Sequence, residues 1–198
     1  MVLPNQLTVL RIILTPVFLV LFLSGEPVLI QISLAVFFIA AITDWYDGWL
    51  ARKFNYITEW GKFMDPLADK ILTSAAFFGF VIIGILPLWM VFLVVLRDML
   101  ITLLRAYADY KKVAFSTSHM AKWKTFFQMI FLYYLLLIYT LKTIEKLYNA
   151  NRHIFDLLLN PSFIYYTMLF ITLLTVVTGI AYLYNDRFLF GKLFKNEN

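Results

Sequence analysis

Cysteine is absent from the chain and histidine occurs only twice. That excludes disulfides and thiolate-bound metals. Charged residues are scarce too, at 15% of the 198 positions, whereas 62% are hydrophobic. Ordinary globular chains are ~45–50% apolar. Together with a mean hydropathy of +0.80, this composition points to a membrane protein rather than a water-soluble one. No internal repeat, low-complexity tract or soluble domain interrupts the pattern, so a single membrane-embedded domain over 1–198 is expected. The net charge of +5 does not imply nucleic acid. The basic residues cluster at the ends of apolar runs, which suits anionic headgroups and phosphorylated substrates. A secretory signal is also not indicated. Arg11 interrupts the first apolar stretch, no small-x-small cleavage site follows it, and Ser24-Gly25-Glu26-Pro27 reads as a turn. The segment is expected to stay as the first helix.

A bilayer-spanning helix needs ~20 mostly apolar residues. Six stretches qualify, at about 6–23, 28–50, 61–86, 88–108, 122–141 and 163–183, so the expected fold is an all-α bundle of six transmembrane helices. Turn or polar chemistry separates them, including a segment at 142–161 that would be an outer loop with a short amphipathic helix. Orientation follows from the basic residues. With the N-terminus inside, the inner segments carry Arg52, Lys53, Lys62, Lys111, Lys112, Lys122, Lys124, Arg187, Lys192 and Lys195; the outer ones carry Lys142, Lys146 and Arg152. Trp45, Trp49, Trp60, Trp89 and Trp123 fit an interfacial belt, and His119 is read as a loop residue rather than a ligand.

Against this background the stretch ITDWYDGWLARKFNYITEWGKFMDPLADK, residues 42–70, is anomalous because it holds Asp44, Asp47, Asp65 and Asp69. On a helix, Asp44, Asp47, Gly48 and Ala51 share a face of roughly 100°. A mid-helix glycine costs ~1 kcal/mol against alanine, so one beside two acids suggests that something approaches the backbone there. Gly61, Asp65 and Asp69 repeat the arrangement within about 80°. Pro66 leaves two possibilities. Either Asp65 caps a helix that starts at Pro66, or the helix runs through Pro66 and frees the Lys62 carbonyl. Four carboxylates facing one space repel one another, and Arg52, Lys62 and Lys70 are too few to compensate. Divalent cations would solve the problem. An oxygen-only donor set favours Mg2+ or Mn2+ over zinc, and four carboxylates would suit two ions ~3.5–4 Å apart that clamp phosphate oxygens.

These residues spell D-x2-D-G-x2-A-R-x8-G-x3-D-x3-D, eight fixed positions in 26 residues with none missing: Asp44, Asp47, Gly48, Ala51, Arg52, Gly61, Asp65 and Asp69. The pattern resembles the signature of the CDP-alcohol phosphotransferase family, whose six-helix layout also matches. The resemblance implies transfer of a phosphatidyl group from a CDP-linked lipid such as CDP-diacylglycerol to an alcohol, with release of CMP. It implies Asp44, Asp47, Asp65 and Asp69 as metal ligands and Asp69 also as general base. Asp47, Gly48, Ala51, Arg52 and Gly61 would meet the CDP moiety of the donor. A homodimer is expected on the same ground, and the basic-residue bias puts it in the cell (inner) membrane with its site toward the cytoplasm.

Three further stretches resemble the bacterial branch of the family whose acceptor is glycerol 3-phosphate. They are LPNQLTVLRIILTPVF at 3–18, LRDMLITLLRA at 96–106 and AKWKT at 121–125. Two positions depart from that pattern: Asp98 stands where glutamate is expected, and Ala121 where glycine is. Arg97, Arg105, Lys122 and Lys124 would then gather around the acceptor phosphate. Arg11 would either join them or pair with one of the acids. Within the class, the rival acceptors are inositol phosphate and phosphatidylglycerol. From another class, intramembrane acids suit a divalent-cation transporter, although the absence of repeated halves speaks against it.

Overall fold

The computed structural model describes residues 3–54, 59–111 and 119–185, all in helices and the short turns between them. In chain order the helices are α1 (Leu3–Phe22), α2 (Pro27–Phe54), α3 (Glu59–Ile82), α4 (Leu88–Tyr110), α5 (His119–Lys142), α6 (Glu145–Ala150), α7 (Arg152–Leu158) and α8 (Pro161–Asn185). No strand occurs among the described residues. Six long helices, α1 to α5 and α8, occupy the stretches expected to span a bilayer. The 142–161 segment holds two short helices rather than one, broken at Asn151. His119 opens α5 instead of lying in a loop. Of the basic residues that set the expected orientation, Lys112, Arg187, Lys192 and Lys195 lie outside the described residues.

Two boundaries follow directly from side-chain chemistry. α3 stops at Ile82, four residues before the apolar run ends, because Gly84 takes φ +78°. Its N–H donates to the Val81 carbonyl at 3.0 Å, and the Ile85 N–H reaches back to Phe80 at 2.9 Å. This is the left-handed glycine cap that closes many helices. At the other end, α3 runs through Pro66, so the second of the two possibilities holds. Proline has no N–H to give the Lys62 carbonyl, which is left without its helical partner.

Apolar side chains pack the interior and also cover the outside. Phe18, Phe22, Phe37, Phe77, Phe80, Leu132 and Leu135 are buried at the centre, with Phe22 meeting Phe80 edge-on and Phe18 stacked on it. Yet Ile13, Val20, Val28, Phe92, Phe126, Leu173 and Ile180 stand exposed on the long helices. Soluble monomers rarely leave such broad apolar surfaces to water; helices apolar on all sides belong in lipid. Two stretches, Met120–Lys142 and Arg152–Tyr182, are long and apolar enough to cross a bilayer. Trp89 and Trp123 are both exposed.

α1 lies against α2 and α3, α3 against α4, and α4 and α5 against α8. The α1–α3 crossing is close because Gly79 has no side chain. A Cβ there would sit 3.0 Å from Phe22 Cδ1, and Phe22 is fully enclosed. Gly79→Val should therefore destabilise the bundle by ~1–3 kcal/mol through overpacking. Thermal denaturation in detergent should show a midpoint several degrees lower, partly restored by shrinking the opposing side chain in Gly79→Val/Phe22→Leu.

Candidate active site

One end of the bundle collects polar side chains from several helices. Alternating chain direction brings together the starts of α1, α3 and α5 and the ends of α4 and α8. Hydrogen bonds tie these termini to one another. The Thr8 hydroxyl of α1 donates to the Asp65 carboxylate of α3. Arg97 Nη2 of α4 donates to the Thr178 hydroxyl of α8 at 3.2 Å. Lys70 of α3 and Lys124 of α5 both meet Asp98 of α4. At the opposite end, Gln31 of α2 donates to Thr143, just after α5, at 3.1 Å.

Between α3, α4 and α5 at the polar end lies a cavity of about 630 Å3, within the usual range for small-molecule sites. α4 supplies Asp98, Ile101, Thr102, Arg105, Ala106 and Asp109, spaced at three and four as one face of a helix requires, with Arg97 beside them. α3 adds Pro66, Asp69 and Lys70; α5 adds Ala121, Lys122, Thr125, Phe126 and Met129. Four cations and three carboxylates thus share the wall. Asp98 is already engaged, 3.2 Å from Arg97 Nη1 and 3.8 Å from Lys70 Nζ, besides its contact with Lys124. The balance left for a ligand favours an anion. Arg97 Nε and Arg105 Nε point the same way chemically. Both are buried N–H donors with no hydrogen-bond acceptor among the described residues, and such donors cost ~1–3 kcal/mol when left unmet.

The expected site residues sort as follows. Asp69, Arg97, Arg105 and Lys122 come together in this cavity. Lys124 does not line it. Two residues on one helix differ by about 200°, so Lys122 faces the cavity while Lys124 turns into the protein, fully buried against Asp98. Arg11 is likewise fully buried and away from the cavity wall; its Nε–H donates to the Ala40 carbonyl at 3.4 Å. Ala40 lies one turn before Asp44 in the sequence of α2. Asp65 receives the Thr8 hydroxyl, and Gly61 is buried on α3. Asp44, Asp47, Gly48, Ala51 and Arg52 belong to α2, but their side chains fall outside the described residues. Among the described residues no three Asp, Glu, His or Cys side chains form a metal cluster.

The cavity also holds residues to which the sequence reading gave no role: Asp109, Thr102 and Thr125, and Asp98 as the partner of Lys124; Lys70, weighed only as a compensator of the signature acids, meets Asp98 instead. Asp98 carried a signal in hindsight, since an acid beside Arg97 within an apolar helix needs a cation. Thr178 and Tyr182 of α8, which hold the two arginines, gave none.

A model of the CDP-alcohol phosphatidyltransferase family matches residues 1–178, and the chain belongs to that family. Among curated proteins, it is 38% identical over 140 residues to the CDP-diacylglycerol–glycerol-3-phosphate 3-phosphatidyltransferase of Bacillus subtilis strain 168, covering 65% of this chain and 72% of that protein. It is 39% identical over 140 residues to the protein of the same name from Rickettsia bellii, covering 68% and 75%. It is 40% identical over 131 residues to the probable phosphatidylglycerophosphate synthase of Mycobacterium tuberculosis H37Rv, covering 65% and 62%.

Removing the buried carboxylate should be costly for stability. Asp98→Asn leaves the Lys124 ammonium buried without its counter-charge, a loss of ~3–5 kcal/mol when one partner of a buried pair is removed. In detergent the thermal midpoint should fall by about 10 °C. The double variant Asp98→Asn/Lys124→Met, which removes both charges, should recover most of that fall. An equal midpoint for the single and double variants would show that the pair is not coupled.

Proposed function

We propose that this chain transfers the phosphatidyl group of CDP-diacylglycerol to glycerol 3-phosphate, giving phosphatidylglycerophosphate and CMP. The observation that carries the proposal is one cavity holding Asp69 together with Arg97, Arg105 and Lys122: a base and a phosphate-binding set side by side. The relatives' names agree with this acceptor.

In this reading, Arg97, Arg105 and Lys122 hold the acceptor's phosphate, with the two unmet Nε–H groups as donors. Asp69 takes the proton from the acceptor hydroxyl as its oxygen bonds to the phosphatidyl phosphorus, and the bond from that phosphorus to the CMP oxygen breaks. The base must approach the hydroxyl to ~3 Å. Gly48, Ala51 and Gly61 would leave room for the donor's cytidine diphosphate, and Asp47 and Arg52 would contact it. Asp44, Asp47, Asp65 and Asp69 are proposed to hold two Mg2+ or Mn2+ ions. Their oxygen-only chemistry fits such ions, as does the placement of Asp65 and Asp69 one turn apart on α3 at the polar end of the bundle. When bound, the ions would neutralise the diphosphate and the leaving CMP.

All six long helices are proposed to span the cell membrane, with the polar end toward the cytoplasm, so that acyl chains enter from the bilayer and the acceptor from water. The family resemblance supports a homodimer. The charged cavity wall favours a small phosphorylated acceptor over a second lipid. Inositol phosphate shares that chemistry, and its larger ring would also be admitted by the volume. A cation-transport path is disfavoured, because the space beside the acids is lined by four cations.

An assay of purified protein with CDP-diacylglycerol and a panel of acceptors tests this directly. Turnover should be confined to glycerol 3-phosphate; preference for inositol phosphate or phosphatidylglycerol would reject the acceptor assignment. Asp69→Asn should lower turnover by roughly a hundred- to ten-thousandfold while CDP-diacylglycerol still binds, and unchanged turnover would remove Asp69 from the base role. Chelation should stop the reaction, with Mg2+ or Mn2+ restoring it. Activity that persists after exhaustive chelation would reject the two-ion assignment.

A further inference from the structure

The last long helix carries three adjacent features directed at the two cavity arginines. Thr178 accepts from Arg97 Nη2 at 3.2 Å. Gly179 leaves space for the Arg97 stem: a Cβ there would stand 3.1 Å from Arg97 Cγ. Tyr182 accepts from Arg105 Nη2 at 3.3 Å through its hydroxyl, and its ring lies under the guanidinium at 5.9 Å from the centroid. Positions 178 and 182 are one helical turn apart on α8, whereas Arg97 and Arg105 are two turns apart on α4, so the long arginine side chains converge on a single turn of α8. Thr178 and Tyr182 are both buried.

We propose that α8, through Thr178, Gly179 and Tyr182, is the acceptor-positioning element of the site, aiming Arg97 and Arg105 into the cavity without touching the reacting atoms. This deepens the acceptor reading above and rests on it. Arginine side chains have many rotamers, and ordering each on binding lowers affinity by about two- to tenfold. A hydroxyl that already holds one Nη2 removes part of that cost before the ligand arrives. Each arginine is anchored at Nη2 while its Nε–H, buried and without an acceptor among the described residues, stays available to an oxyanion. Thr178 is itself oriented, since its hydroxyl donates to the Leu174 carbonyl at 2.7 Å. The family match covers residues 1–178 of the chain, so Gly179 and Tyr182 lie just past it.

Tyr182→Phe keeps the ring and removes the hydroxyl; Thr178→Val keeps the shape and removes the acceptor. In steady-state assays of the purified full chain, each should raise KM for glycerol 3-phosphate by about three- to tenfold, the scale of ordering one long side chain on binding. Meanwhile kcat should stay within about twofold, as should KM for CDP-diacylglycerol. Thr178→Ser, which retains the hydroxyl, should return KM to the wild-type value. A merely structural role would lower the thermal midpoint and depress kcat with both substrates, and that result overturns the proposal. So does an unchanged acceptor KM in both variants while the wild type turns over glycerol 3-phosphate; in that case the acceptor reading stands alone. If the wild type instead uses another phosphorylated acceptor, the same KM split is read with that acceptor. If the preferred acceptor carries no phosphate, the positioning role falls together with the acceptor reading.

Discussion

The polar end of this bundle depends on one buried carboxylate. Asp98 faces three cations from three helices: Arg97 beside it on α4, Lys70 from α3 and Lys124 from α5. An ammonium as deeply enclosed as Lys124, or a carboxylate as enclosed as Asp98, would each be intolerable alone in a low-dielectric interior. Together they offset much of one another's lost hydration. The arrangement does more than join helices. A cavity wall that holds several cations close together needs a compensator for their repulsion. Asp98 answers that need from the wall, neutralised on its inner side by Lys124.

The same logic explains how the rest of the bundle finds its register. With apolar residues inside and out, lipid would solvate the helices about as well as their neighbours do, so the hydrophobic effect discriminates weakly among packings. Close van der Waals contact and a few polar links must choose. Gly79 admits the Phe22 ring, Thr8 reaches Asp65, Arg11 reaches the Ala40 carbonyl, and Gln31 meets Thr143 at the far end. On α1 the polar members Thr8, Arg11 and Thr15 fall at spacings of three and four, one stripe turned inward. These links hold the acid-bearing ends of α2 and α3 at the polar end of the bundle.

Much of this was legible in the sequence, and the gaps have physical causes. That the chain is helical along its apolar stretches follows from their length, which needs no tertiary information. The early end of α3 was less legible: the apolar run continues to Leu86, and only the positive φ of Gly84 stops the helix. Whether Pro66 begins a helix or sits within one was undecidable locally, because both conformations satisfy proline; the turn of helix preceding it decided the matter. Lys122 and Lys124 looked alike as neighbours in a basic pentapeptide, yet two residues on a helix place them on different faces, and only knowing which face meets α4 tells them apart. The α8 residues were invisible for a stronger reason. Threonine, glycine and tyrosine in an apolar span are unremarkable until the arginines they meet, some eighty positions earlier, are seen beside them.

The two positions where the chain departs from its branch's pattern both fall in the cavity wall, while the acidic signature is complete. Asp98 is one methylene shorter than glutamate, so its carboxylate is held nearer the α4 backbone, and the longer side chains of Lys70 and Lys124 span the distance to it. Ala121 lines the cavity at the start of α5, where its carbonyl also accepts the Thr125 hydroxyl at 3.1 Å; its methyl takes up a little of the space that glycine would leave. On the proposed reading, the bond-making end of the site lies on α2 and α3, and the end that recognises the acceptor lies on α4, α5 and α8. Substitutions in that second group can reshape the pocket without disturbing the carboxylates that would hold the ions. A family that keeps one phosphoryl-transfer chemistry while changing its alcohol would use such a division, because the groups that stabilise charge at phosphorus and those that select the nucleophile sit on different helices.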